Sequence, residues 1–285
     1  MDLLCSAAAS VAFVGTFYIW PRERRFIHSA TQSLRTAALD ASVYVDRGSD
    51  ETIRRRTISL GLCCAASAAY LARGAASSSA TALQVRGVHP VLRSTASTLL
   101  LFAGPIADAC GAGGLDLPES VLLCWRNYVI CPIGEELFYR GVLLSLLRRR
   151  SPAVRIGVSA VLFALSHTHH LVSLASDAYR EDCDVDGDGE RCEGRERECW
   201  RAGARALCGV YVCTTLFGLM SGYYFEYACE GSLAAITAAH AVCNIIGPPQ
   251  FAALRSRRST CGAKVASAAV YVAGIAGWAW TLSLH

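Results

Sequence analysis

The stretch that decides how this chain folds is Cys131-Pro132-Ile133-Gly134-Glu135-Glu136-Leu137-Phe138-Tyr139-Arg140-Gly141-Val142-Leu143-Leu144. Two adjacent carboxylates and one arginine lie inside a run that is otherwise apolar. Pro132 suits the first turn of a helix, because its missing N–H needs no partner there. The pattern predicts a helix from Pro132 to Leu147, which ends before the cluster Arg148–Arg150.

On this helix Glu136 and Arg140 are four residues apart and share a face, so we expect them to form an ion pair. Glu135 lies about 100° round the helix axis from Glu136 and can point elsewhere, towards a cavity. Ionisable groups in a membrane-like segment are costly and are functional by default. A salt bridge at a helix end in a soluble bundle is the alternative interpretation of this stretch.

The composition indicates a membrane protein. Apolar residue types make up 53% of the 285 residues, charged residues make up 18%, and the mean hydropathy is +0.34. Soluble domains carry about a quarter charged residues, and here the apolar surplus lies in runs of membrane-spanning length. The net charge of +4 comes mainly from arginine clusters between these runs. Membrane topology explains those clusters better than nucleic-acid binding does.

The apolar runs predict an all-α polytopic protein with about eight transmembrane helices around an intramembrane active-site cavity, in one domain over residues 1–285. The predicted spans are Leu3–Trp20, Ile58–Leu71, Ser94–Cys110, Val121–Leu147, Ala153–Val172, Ala206–Tyr227, Ser232–Ile246 and Val265–Leu284. Arginine clusters at both ends of the loop after the first span place that loop on the cytosolic side. The same rule does not decide the whole topology, because alternating spans put Arg148–Arg150 on the opposite side.

Three of the predicted spans carry polar residues at helical spacing. In chain order they hold Glu135, Glu136 and Arg140, then His167 four residues after Phe163, and then His240 and Asn244 one turn apart. If these groups meet, a carboxylate can take a proton from water and a histidine can position that water. A His/Asn pair can then stabilise the developing oxyanion. The set predicts a hydrolase that activates water.

A zinc-dependent intramembrane protease is an alternative, because glutamate and histidine are also zinc ligands. However, the spacing is not that of an HExxH motif, and the guanidinium of Arg140 would oppose a bound cation. Most of the 14 cysteines lie singly in apolar runs and form no CxxC pair, so they behave as small hydrophobes. We therefore expect neither a metal nor another cofactor.

Together, the motifs EExxxR at Glu135–Arg140, FxxxH at Phe163–His167 and HxxxN at His240–Asn244 resemble the set found in the type II CAAX prenyl endopeptidases. These enzymes belong to the CPBP family of intramembrane glutamate proteases. The run Arg126-Asn127-Tyr128 resembles the eukaryotic subgroup. The resemblance covers most of the chain between about Asp50 and Phe251.

The resemblance implies a catalytic role for four residues. Glu135 is expected to be the base that activates water, and His167 is expected to hold that water and shuttle the proton. His240 and Asn244 are expected to form the oxyanion hole.

The same resemblance implies that Glu136 and Arg140 are a supporting pair that fixes the site. The expected substrates are farnesylated or geranylgeranylated CAAX proteins, which lose their C-terminal AAX tripeptide in the endoplasmic reticulum membrane. A prenyl chain needs an apolar cavity open to lipid, and helices rich in small residues can pack closely around one. Some CPBP members are membrane scaffolds with degenerate motifs, but every motif residue is present here, which favours an enzyme.

One hydrophilic segment, residues 177–205, departs from the family and is predicted to be a loop insertion. Within it, Asp184–Glu193 reads DxDxDGxxCE and resembles a calcium-binding loop, with carboxylates at positions one, three and five and a turn at Gly189. The twelfth position is Arg195, where a calcium loop needs a bidentate glutamate. A solvated acidic insertion is therefore favoured, and calcium binding by residues 181–198 is the alternative.

Overall fold

The chain folds into helices, as its apolar runs predict. The computed structural model describes residues 2–36, 48–77, 87–115, 117–186, 196–257 and 259–284, and none of these residues lies in a β-strand. The α-helices are α1 (Asp2–Gly15), α2 (Pro21–Thr36), α3 (Asp50–Ser77), α4 (Val88–Leu101), α5 (Ala103–Gly111), α6 (Val121–Trp125), α7 (Cys131–Glu136), α8 (Leu144–Leu146), α9 (Pro152–Ser166), α10 (Leu171–Asp186), α11 (Glu196–Tyr223), α12 (Leu233–Ile246), α13 (Ala252–Arg255) and α14 (Cys261–Ser283). The predicted all-α class is confirmed.

Three helical segments in the described part of the chain are long and apolar enough to cross a membrane, namely Pro152–Tyr179, Arg197–Ala228 and Cys261–Ser283. Large apolar side chains on them are exposed, for example Leu216 and Trp280. A lipid environment accounts for such exposure, because it removes the cost of apolar surface in water. The chain is thus a helical membrane protein, and the count of eight spans stays a prediction.

Pro132 lies inside a helical stretch and not at its first turn, which corrects the sequence-based expectation. The stretch runs from Val121 to Leu146 without a break, because wider π-helical turns at Arg126–Ile130 and Leu137–Leu143 join α6, α7 and α8. In the first π turn, the N–H of Cys131 bonds to the carbonyl five residues back. This wider register lets the helix continue through a proline that would otherwise interrupt it.

Contacts between residues divide the chain into two compact units. Unit 1 consists of Met1–Cys63 and Arg149–Leu219, and unit 2 consists of Cys64–Arg148 and Met220–His285. His167 belongs to unit 1, whereas the other five residues predicted for the site belong to unit 2.

Unit 1 is held together by close helix packing. Helix α1 packs on α9, and α11 approaches α9 at Gly218. A Cβ atom added at Gly218 would lie 2.8 Å from the Cα atom of Ala160. Glycine therefore allows the two backbones to come close, as small residues do where membrane helices meet. The indole N–H of Trp20 donates to the hydroxyl of Ser59 at 3.0 Å and ties the end of the first helical segment to α3.

Unit 2 places α12 at the centre of several contacts. Helix α12 packs on α4, on α7 and on the π turn Arg126–Ile130. The Ser94 hydroxyl of α4 donates to the carbonyl of Ala235 in α12 at 2.7 Å. Helix α14 packs on α4 and α5, and a Cβ atom added at Gly274 would lie only 2.5 Å from the carbonyl oxygen of Leu100. Because α12 carries His240 and Asn244, this packing sets where both side chains lie.

The hydrophilic segment 177–205 is helical at both ends, where the sequence predicted a loop. Helix α10 continues to Asp186, and α11 begins at Glu196. Residues 187–195, which contain most of the calcium-like string, lie outside the described part of the chain. Calcium binding and the boundaries of an insertion therefore stay predictions.

Candidate active site

Glu136 and Arg140 form a buried ion pair on the stretch that runs through α7 into the second π turn. The Arg140 Nη1 group donates to Oε1 of Glu136 at 3.2 Å, and both side chains are 0% exposed. The pairing expected from their four-residue spacing is confirmed. Away from water the mutual attraction of two charges is much stronger than at a surface, so the pair holds both side chains in place.

His240 lies between the two adjacent glutamates. Its Nδ1 atom is 2.8 Å from Oε1 of Glu136, and its Nε2 atom is 3.8 Å from Oε2 of Glu135. An ionised carboxylate only accepts hydrogen bonds, so Nδ1 carries the proton that points at Glu136. The buried Glu136 thus fixes the orientation of the imidazole, and the opposite edge of the ring faces Glu135.

Glu135 and Glu136 are neighbours in sequence but have different surroundings. The side chain of Glu135 is 24% exposed, whereas that of Glu136 is fully buried. Glu136 accepts hydrogen bonds from both Arg140 and His240 through the same oxygen. Of the two carboxylates, Glu135 is the one that incoming water or a substrate can reach.

Asn244 lies one turn beyond His240 on α12 and is held by the backbone of the first π turn. Its Nδ2 group donates to the carbonyl of Asn127 at 2.9 Å. The π register explains why that carbonyl accepts a side-chain donor. Its partner five residues along the chain would be Pro132, which has no N–H. Asn244 supplies the missing donor, and its second amide hydrogen can point elsewhere.

His167 is described within unit 1, in the 3₁₀ turn His167–His170 that follows α9. Its Nδ1 atom is 2.8 Å from the carbonyl oxygen of Phe163, and its ring packs edge to face on the Phe163 ring with centroids 5.0 Å apart. Because a carbonyl only accepts, Nδ1 carries the proton and the Nε2 atom of a neutral ring is an acceptor. The FxxxH spacing therefore presets the tautomer of this histidine.

The structure brings together Glu135, Glu136, Arg140 and His240, and it places Asn244 next to them on the same helix as His240. Sequence reasoning missed the role of Asn127. The run Arg126-Asn127-Tyr128 entered the sequence analysis only as a resemblance to the eukaryotic subgroup. The signal was a proline five residues after Asn127, which leaves a carbonyl without a backbone donor once the helix widens. Sequence reasoning likewise gave no role to Tyr211, whose hydroxyl lies 2.6 Å from that of Thr168 beside His167.

The donor set of this site suits proton transfer and anion binding. Among the described residues, no group of three or more histidine, cysteine, aspartate and glutamate side chains is arranged to hold a metal ion. In unit 2, the cation that balances the buried carboxylate is the guanidinium of Arg140. Two carboxylates, a guanidinium and an imidazole can carry zero net charge together when the imidazole is protonated.

A comparison with family models matches residues 117–246 to the type II CAAX prenyl endopeptidase Rce1-like family. All six residues predicted for the site lie inside this segment. This match supports the family suspected from the three motifs.

Among curated proteins, the chain is similar to the CAAX prenyl protease 2 of Saccharomyces cerevisiae. The two sequences are 24% identical over 178 residues, which is 57% of this chain and 50% of the yeast protein. The chain thus spans about half the length of this relative. No solved structure matches the chain significantly.

Proposed function

We propose that the protein removes the C-terminal AAX tripeptide from farnesylated or geranylgeranylated CAAX proteins by means of a glutamate-activated water. The observation that carries this proposal is the placement of His240. It lies between a fully buried carboxylate that fixes it and a partly exposed carboxylate that water can reach, inside the segment that matches the Rce1-like family.

In the proposed reaction, Glu135 takes a proton from water while the water oxygen bonds to the carbonyl carbon of the prenylated cysteine. His167, whose Nε2 atom can accept a hydrogen bond, holds this water, then receives the proton from Glu135 and delivers it to the leaving amine. The resulting oxyanion is stabilised by His240, which donates from Nε2 when its imidazole carries both protons, and by an amide hydrogen of Asn244. When the tetrahedral intermediate collapses, the C–N bond breaks and the proton goes to the leaving amine. The products are a prenylcysteine carboxylate and a tripeptide.

Glu136 and Arg140 support this chemistry without touching the substrate. Glu136 holds His240 through Nδ1, and Arg140 neutralises Glu136 in a buried setting. Similarly, Asn127 positions Asn244 through its backbone carbonyl. Rigid support of this kind matters, because oxyanion donors are effective only when they are oriented before the charge develops.

A mostly apolar pocket that is open to the surface supports the choice of a prenylated substrate. Its volume is about 300 Å³, and Glu119, Val121, Trp125 and Val129 are among the residues that line it. Val129 is six residues before Glu135 on the same helical stretch, which corresponds to a rise of about 9 Å. The prenyl group is attached to the cysteine whose C-terminal peptide bond is cleaved. A prenyl chain that extends from Glu135 towards Val129 can therefore enter this pocket.

The decisive experiment is cleavage of a farnesylated CAAX peptide by the purified full chain in detergent or lipid. We expect tripeptide release by the unaltered protein, none by Glu135→Gln, and no sensitivity to a metal chelator. Activity that vanishes with chelator and returns with zinc would support a zinc protease instead. A folded protein that cleaves no prenylated peptide would support a scaffold. The proposed location, the endoplasmic reticulum membrane, can be tested by imaging the tagged chain beside a marker of that membrane.

A further inference from the structure

Two arginine clusters next to the first two apolar runs have no part in the chemistry above. Three arginines lie within residues 22–25, directly after the first run ends at Trp20, and three more lie at residues 54–56, directly before the second run begins at Ile58. All of these residues belong to unit 1. The two clusters can form one surface only if the two apolar runs pack side by side.

The stretch from Thr16 to Glu23 runs antiparallel to α3 and brings the clusters together. Three side-chain contacts join the two segments, namely the Thr16 hydroxyl and the Cys63 sulfur at 3.2 Å, the Trp20 indole and the Ser59 hydroxyl at 3.0 Å, and the Glu23 carboxylate and the Arg55 guanidinium at 3.8 Å. The residue number rises along one segment as it falls along the other, so both clusters lie at the same end of the pair.

Two carboxylates hold one arginine of each cluster. Arg55 donates from Nη2 to Oε1 of Glu51, and Arg22 donates from Nη1 to the other oxygen of Glu51 at 3.3 Å. The second carboxylate beside Arg55 is that of Glu23, which is 0% exposed. Because opposite charges attract and like charges repel, these carboxylates offset part of the repulsion between the clusters.

The other arginines at this end keep an unbalanced positive charge. Helix α2 buries Phe26 and exposes Arg24 and Arg25, and Arg54 is exposed at the start of α3. None of these three arginines forms an ion pair with another described residue. Residues 20–57 contain eight arginines and five acidic residues, so the whole segment has a surplus of positive charge.

The apolar side chains of both segments place this surface at the edge of a membrane. Leu4 and Val11 on α1 are 77% and 74% exposed, and Leu62 on α3 is 60% exposed. Lipid accounts for such exposure, because it removes the cost of apolar surface in water. Trp20 lies between this apolar part and the arginines, and tryptophan is enriched where hydrocarbon meets headgroups. The exposed arginines therefore lie at the level of lipid headgroups.

We propose that Arg24, Arg25 and Arg54 form a binding surface for the headgroups of anionic phospholipids. Basic clusters beside membrane helices or on amphipathic helices recognise such lipids, and the paired N–H groups of a guanidinium match phosphate oxygens. The partner is a lipid of the surrounding membrane and not a soluble phosphate, because the surface lies at headgroup level. This inference is independent of the proposed catalytic function.

The test measures the Kd of fluorescently labelled phosphatidylserine for the purified full chain in a neutral detergent. Labelled phosphatidylcholine with the same acyl chains is the uncharged comparison, and inorganic phosphate is added as a competitor. The variants are Arg24→Gln/Arg25→Gln and Arg54→Gln. The matched control is Arg148→Gln/Arg149→Gln, which removes another adjacent pair of exposed arginines. Thermal unfolding of each variant checks that it is folded.

We expect phosphatidylserine to bind at least about tenfold more tightly than phosphatidylcholine, because one arginine at an anionic surface contributes about a factor of five. Arg54→Gln should weaken phosphatidylserine binding about fivefold and Arg24→Gln/Arg25→Gln about 25-fold. The control should bind both lipids as the unaltered chain does. Raising the salt concentration from about 0.05 to about 0.5 M should weaken phosphatidylserine binding, because salt screens exposed charges.

Equal binding of the two lipids by the unaltered chain would overturn the proposal. An equal loss in the control would overturn it too, because it would show a general effect of charge. Displacement of the lipid by an equal concentration of inorganic phosphate would instead indicate a site for soluble phosphate. If Arg24→Gln/Arg25→Gln does not fold, Arg54→Gln and the salt dependence of the unaltered chain decide the matter.

Discussion

At the scale of single residues, the main finding is that two adjacent glutamates have separate tasks. Glu136 is fully buried and forms hydrogen bonds with both Arg140 and His240. Glu135 is partly exposed, and its Oε2 atom lies 3.8 Å from Nε2 of His240. Burial decides which carboxylate can meet water. We therefore assign structural support to Glu136 and proton transfer to Glu135.

This division predicts that Glu136→Ala destabilises the protein and that Glu135→Ala does not. Removing Glu136 takes away the carboxylate that pairs with the buried Arg140 guanidinium, and breaking such a pair typically costs about 3–5 kcal/mol. Thermal unfolding of the two purified variants in the same detergent measures the difference. Both variants should be inactive, so a similar Tm for the two would contradict the assignment.

The two oxyanion donors give a second prediction. Asn244→Ala and His240→Ala should each lower kcat about 10²- to 10³-fold and change KM little, because their hydrogen bonds strengthen only as the oxyanion forms. Steady-state kinetics on the farnesylated peptide provide the measurement, with Cys243→Ala as the control on the same turn of α12. An unchanged kcat with a raised KM would instead make them contacts for the bound substrate.

At the scale of helices, the π turn Arg126–Ile130 makes a backbone carbonyl available for a contact with α12. It shifts the backbone hydrogen bonds to a five-residue spacing. Pro132 has no N–H to donate to the Asn127 carbonyl, so this carbonyl accepts a hydrogen bond from Asn244. A wider turn in a helix is often a functional feature. Here it connects α12 to the stretch that carries the glutamates.

We predict that Pro132→Ala weakens this connection. Alanine restores an N–H that can donate to the Asn127 carbonyl. This donor competes with Asn244 and weakens the hydrogen bond that positions the Asn244 side chain. A typical net hydrogen bond is worth about 1 kcal/mol, which corresponds to roughly a fivefold lower kcat. The protein should not become less stable, because alanine is a better helix residue than proline. Pro152→Ala, at the start of α9, serves as the control, and unchanged kinetics in Pro132→Ala would show that Asn244 is held by other contacts.

At the scale of the whole molecule, the hydrophilic connection between α10 and α11 carries none of the three motifs. Replacing residues 187–195 by a Gly/Ser linker of equal length should therefore leave cleavage of prenylated peptides largely intact. Changes in a surface connection have a small entropic cost, about 0.6 kcal/mol per doubling of loop length. Activity should be measured with and without calcium, and on substrates with and without a polybasic stretch. Loss of activity on every substrate would show that this connection supports the active site.

The sequence by itself determined the features that depend on local geometry. The ion pair between Glu136 and Arg140 follows from their spacing of four residues on one helix face. The all-α class follows from long apolar runs, since a helix satisfies its own backbone groups in lipid. The motifs also indicated the family that the comparison with family models supports.

Only the tertiary structure decided which groups meet across the chain. His240 is 104 residues from Glu136 and 105 from Glu135 (240 − 135), and helix packing alone places its ring between them. Likewise, Asn244 meets Asn127 across 117 residues. The difference in burial between Glu135 and Glu136 has the same origin, because exposure depends on which neighbouring helices cover each side chain. Periodicity assigns a residue to a face of its own helix, but it contains no information about the partner that this face will meet.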